Sequence, residues 1–132
     1  MNTESRDKRK ERSVTRLGKS FGYAAEGIKY AFKFEQNLTV HFCVAIIVII
    51  LGVILKISLI EWIICILAIG LVIATELINT SIEATIDLVT SEYNKLAKVA
   101  KDTAAGAVLT FALTAAVVGL IIFVPKIMEL FV

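Results

Sequence analysis

Glu76, Asn79, Glu83 and Asp87 are the residues whose types and spacing bear most directly on chemistry. At about 100° per residue they fall within roughly 80° of one another on a helix, with Leu77, Ile78, Ile82 and Ile86 on the remaining surface. Aligned carboxylates without an intervening base suit a divalent cation, and acids next to lipid are costly enough to need a reason. The plainer alternative is a solvated helix end projecting beyond the lipid. A further acid, Glu35, lies just before Gln36-Asn37-Leu38, where the chain is expected to enter a membrane. Glu35 and Glu83 at one depth would offer oxygen ligands to Mg²⁺, which takes one or two protein carboxylates and completes its shell with phosphate and water. The segment from Ser91-Glu92-Tyr93-Asn94 through Lys101-Asp102, read as a loop, holds an ammonium for phosphate, amide and carboxylate groups, and a ring for a nucleobase. Lys95, Lys98 and Lys101 would equally serve to set topology.

The elements that must position these residues are helical and apolar. Of 132 residues, 58% are hydrophobic, so a membrane bundle with little room for a soluble domain is expected. Residues 1–13 read as a mobile basic tail without a fold, and 14–132 as a single domain. From Val14 to Phe34 the apolar positions Leu17, Phe21, Ala24, Ile28 and Phe32 recur at three or four, with Arg16, Lys19, Tyr23, Glu26, Tyr30 and Lys33 on another face. That pattern predicts an amphipathic surface helix over about 14–34. Spans are expected over about 39–57, 58–90 and 103–125, the last stopping at Pro125, giving an all-α fold.

Nine of the fourteen Lys and Arg residues precede Phe34, so the modest net charge of +2 reports topology rather than a nucleic-acid partner. With Lys95, Lys98 and Lys101 on the same side and Lys56 and Lys126 opposite, the amino terminus is expected to be cytoplasmic. No cleavable signal peptide is expected, because no apolar core precedes residue 40. Cys43 and Cys65 sit in apolar runs without metal-ligand spacing and read as packing thiols. SVTRLGKS at 13–20 approaches a phosphate-loop pattern, but Ser13 replaces its first glycine and no strand precedes it. Gly18 and Gly22 form a G-x-x-x-G outside any apolar span. His41 reads as an interfacial or locally hydrogen-bonding residue.

In order along the chain, G-Y-A-A-E-G-I-K-Y-A-F at 22–32, E-Q-N-L-T-V-H at 35–41, E-L-I-N-T-S-I-E-A-T-I-D at 76–87, S-E-Y-N at 91–94 and A-K-D at 100–102 resemble the small prokaryotic diacylglycerol kinases, particularly the Gram-positive undecaprenol kinase branch. The resemblance covers about residues 14–124. It implies a homotrimer of three-span subunits in the plasma membrane, with sites shared between chains at the cytoplasmic face. It also implies transfer of phosphate from ATP to a membrane lipid alcohol, with Mg²⁺ as cofactor. Glu76 would then be the general base and Asn79 its positioning partner. Glu35 and Glu83 would hold Mg²⁺, and Arg16, Tyr23, Glu92, Tyr93, Asn94, Lys101 and Asp102 would line the nucleotide site with them, Asp87 supporting the acidic face. His41 departs from the diacylglycerol branch, which often carries an acid there, and this favours undecaprenol as acceptor over diacylglycerol. The rival readings are a cation-coupled transporter, which would want its carboxylates near the bilayer midplane, and a non-catalytic membrane subunit.

Overall fold

The computed structural model describes residues 3–131, with side chains from Thr15 onward. Its four helices are α1 (Thr3–Phe34), α2 (Gln36–Ile54), α3 (Leu59–Val89) and α4 (Lys95–Met128), with no strand among the described residues. They fall into two compact units, α1 and the bundle of α2 to α4.

In the first unit, α1 begins at Thr3 rather than near Val14. Residues 3–13 are rich in Glu, Lys and Arg and contain neither Gly nor Pro, so they extend a helix readily where charge alone suggested a tail. Tyr30 and Phe34 lie one turn apart with ring centroids 4.5 Å apart, and the Lys33 ammonium sits 5.2 Å from the Phe34 centroid.

In the second unit, α2, α3 and α4 are each long and apolar enough to cross a membrane. The 19 residues of α2 make about 28 Å at 1.5 Å per residue, close to the hydrocarbon thickness of about 30 Å. With 31 and 34 residues, α3 and α4 exceed that thickness, so part of each must leave it. The charged ends, Glu76 to Val89 and Lys95 to Asp102, are the parts suited to do so.

A tight hairpin joins α2 to α3. Lys56 adopts the left-handed conformation, φ 49°, and the Ile57 N–H donates to the Gly52 carbonyl at 3.1 Å. Ser58 then starts α3 with a capping box: its backbone N–H donates to Glu61 Oε2 at 2.6 Å, and its hydroxyl accepts from the Glu61 N–H. The turn closes over Gly52, where a Cβ would meet the Trp62 ring at 2.8 Å. Ile57, Cys65, Ile122 and Phe123 form the core at this end. Lys126 Nζ lies 3.3 Å from Glu61 Oε2, tying the end of α4 to the start of α3.

Two boundaries of α4 differ from expectation. It starts at Lys95 rather than near 103, because the Asn94 side-chain oxygen caps it by accepting from the Leu96 and Ala97 N–H groups at 2.8 and 3.2 Å. It also passes through Pro125 to Met128. Proline removes one donor, but the next turn re-forms, with the Glu129 N–H donating to the Pro125 carbonyl at 3.0 Å. Throughout, α4 lies mainly along α3 and meets α2 at few points. A slot between α2 and α4 results.

Candidate active site

Glu76 is the deepest charged residue described, at 1% exposed, with Asn79 at 5% one turn further along α3. The Thr80 hydroxyl donates to the Glu76 carbonyl at 3.0 Å, and the Asn79 amide donates to Glu83 Oε1 at 2.9 Å. The side chains of Asn79 and Glu83 are thus oriented as a pair. Two buried acceptors, Glu76 Oε1 and Asn79 Oδ1, receive no hydrogen bond. His41, from the second turn of α2, brings Nε2 to 3.2 Å from Glu76 Oε1. Glu76 Oε1 nevertheless receives no hydrogen bond in this arrangement. A buried acceptor without a donor costs about 1 to 3 kcal/mol, so two side by side mark a place where something else supplies the hydrogens.

Among the described residues, two hollows adjoin these groups and a third lies further along α3. A small pocket of ≈ 180 Å³ is lined on one side by Asn37, His41, Glu76 and Asn79, and closed by small and aliphatic residues of α4 such as Ala105 and Ala112. The slot between α2 and α4, ≈ 340 Å³, has an almost wholly apolar lining that includes Val44, Val72, Ala116 and Gly119. His41 and Ala112 line both, so the slot ends at the pocket. The third is a cleft of ≈ 440 Å³ between the end of α3 and the start of α4.

The structure gathers Asp87, Glu92, Tyr93, Asn94, Lys101 and Asp102 around that cleft. Lys101 Nζ lies 2.5 Å from Asp87 Oδ1, joining α4 to α3, and Lys98 pairs with Asp102 one turn along α4. The ring of Tyr93 is 84% exposed beside them. Asn94 has a structural duty as the cap, which the sequence reading did not assign. Glu35 stands at the extended residue before α2, with no capping bond from its side chain. Arg16 and Tyr23 are exposed on α1, in the other unit.

Among the described residues no group of three His, Cys, Asp or Glu side chains forms a ready-made metal cage. Mg²⁺ does not require one, since it keeps waters and phosphate oxygens beside one or two carboxylates. Glu35 and Glu83 are hard oxygen donors of the kind that Mg²⁺ takes. His41 is the residue whose part the sequence reading missed. The available signal was an imidazole inside an otherwise uncharged apolar run, a placement that calls for a named partner.

Fold and site together define a membrane protein of three spanning helices, with a buried carboxylate where an apolar slot meets a polar pocket. The model of the prokaryotic diacylglycerol kinase family matches residues 22–123, and the chain belongs to that family. An undecaprenol kinase of Bacillus subtilis (strain 168) is 45% identical over 123 residues, which is 93% of this chain and 98% of that protein. A diacylglycerol kinase of Synechocystis is 39% identical over 86% of this chain and 65% of its own length. One from Helicobacter pylori (strain J99) is 36% identical over 76% of this chain and 78% of its own.

Proposed function

We propose that the chain is an ATP- and Mg²⁺-dependent lipid kinase that phosphorylates the hydroxyl of undecaprenol at the cytoplasmic face of the plasma membrane. The observation that carries this reading is the pair of buried, donorless acceptors, Glu76 Oε1 and Asn79 Oδ1, at the end of an apolar slot. A lipid alcohol has the two complementary parts: hydrocarbon for the slot and one O–H donor for the acceptors. As the oxygen–phosphorus bond forms and the bond to the leaving ADP breaks, the hydroxyl proton passes to Glu76, held in place by the packing around it. Asn79 positions the hydroxyl and, through its bond to Glu83, couples the acceptor pocket to the metal carboxylates. Mg²⁺ held by Glu35 and Glu83 would neutralise charge on the phosphates. Lys101 would exchange Asp87 for a phosphate oxygen, with Glu92, Tyr93, Asn94 and Asp102 around the nucleotide. Arg16 and Tyr23 join that site by family resemblance alone, as does assembly into a homotrimer with shared sites. The basic residues before Phe34 and after Asn94 support a cytoplasmic amino terminus.

Diacylglycerol is the second reading, supported by the relatives named for it. Undecaprenol is preferred because the relative bearing that name is matched over nearly its whole length. A polyprenol also brings no ester carbonyls to a pocket that already holds two acceptors without donors. The test is kcat/KM for undecaprenol and for dioleoylglycerol in the same mixed micelles at matched mole fraction. A clear preference for dioleoylglycerol overturns the acceptor and leaves the kinase standing; no transfer to either overturns both.

A further inference from the structure

Glu76 has a difficulty that its burial creates. At 1% exposed it can take a proton from a hydroxyl in the pocket, but the acceptor bound there then stands between the carboxyl and pocket water. A buried acid that stays protonated cannot serve a second turnover. Of its neighbours on α3, Asn79 carries no exchangeable acid proton, and Glu83 is engaged with Asn79 rather than with Glu76. His41 has what is missing. Its Nε2 is 3.2 Å from Glu76 Oε1. It lines the same ≈ 180 Å³ pocket as Asn37, which lies one turn nearer the start of α2 and is exposed. A pocket of that size with polar groups on one wall has room for water.

We infer that His41 is the proton exit of this site, receiving from Glu76 the proton taken from the lipid hydroxyl and releasing it to pocket water toward Asn37. The inference rests on the kinase reading above. In the step, the O–H bond of the protonated Glu76 carboxyl breaks and an N–H bond forms at His41 Nε2, giving a carboxylate and an imidazolium. The imidazolium then releases one proton to water, which restores the neutral ring. No further reactant is needed. An imidazole suits the task because its ring nitrogen can take up a proton and release it again. The titratable group in contact with it is Glu76 on α3. The residues that α4 turns to the pocket (Ala105, Val108, Leu109 and Ala112) do not titrate.

The full-length protein in lipid micelles is the material for the test. His41→Gln keeps a polar side chain of similar reach beside Glu76 but cannot carry a proton. Its kcat is expected to fall about tenfold or more, the lower part of the range for acid–base groups, while KM for ATP and for the lipid stays near the parent values. Its solvent deuterium isotope effect on kcat is expected to rise as proton exit becomes limiting. In His41→Ala, added imidazole is expected to return activity in proportion to its concentration. Three results overturn the relay: parental kcat in His41→Gln, a lower kcat with an unchanged isotope effect, or a folded His41→Ala that imidazole does not lift. In each the parent enzyme still phosphorylates lipid, so the kinase reading survives. A parent that phosphorylates no lipid alcohol overturns both.

Discussion

Replacing Glu76 by glutamine separates a catalytic from a structural role, because the two predict opposite signs for stability. The side chain is 1% exposed and its Oε1 accepts no hydrogen bond, so in the resting protein the carboxylate is a cost rather than a support. Glutamine keeps the shape, removes the burial of charge, and offers an amide hydrogen beside the donorless Asn79 Oδ1 or His41. Glu76→Gln is therefore expected to melt no lower than the parent and to bind ATP as the parent does. The amide cannot accept the hydroxyl proton, and loss of a general base costs about 10² to 10⁴ in rate, or roughly 2.7 to 5.4 kcal/mol at about 1.36 kcal/mol per decade. The assay is kcat for phosphate transfer from ATP to undecaprenol in mixed micelles, with thermal melting and nucleotide binding on the same preparation. Activity within a few-fold of the parent would falsify the base assignment. A loss of activity matched by a lower melting temperature would show that Glu76 holds the fold instead.

Glu35→Gln and Glu83→Gln each remove one anionic oxygen from a hard cation, so both variants are expected to need more Mg²⁺ for half-maximal rate; an unchanged requirement in a magnesium titration rejects the shared metal site. Subunits carrying Glu76→Gln mixed with subunits carrying Glu35→Ala are expected to recover activity that neither has alone, since sites shared between chains allow intact halves to meet. Mixed assemblies that form but stay inactive would mean that each chain carries its own complete site.

The three spans and the acidic face of α3 were legible because each follows from periodicity and from the cost of charge in hydrocarbon. The start of α4 was not. Lysines and an aspartate over 95–102 read as loop, and what makes them helix is Asn94 turning its side chain onto two backbone donors, a local bond that composition does not announce. Pro125 was read as a stop by the rule for helix interiors; it lies so near the helix end that a single lost donor is tolerated. The gathering of six candidates around the cleft could be anticipated, since they lie within 16 consecutive positions of one helix–turn–helix. The His41 contact joins residues 35 positions apart on different helices, and no spacing rule reaches across that interval.

The unequal lengths of the spans bear on which membranes suit the protein. Only α2, at 19 residues, is matched to a bilayer, and its first two turns carry Asn37 and His41. In a thicker bilayer α3 and α4 have spare length to take up the difference, while α2 has none and must draw the headgroup layer inward around its ends. The short helix is therefore the gauge that sets how deep the pocket lies, and the depth at which an acceptor hydroxyl floats has to agree with it. Lipids of different chain length would then alter catalysis without touching a single side chain of the site.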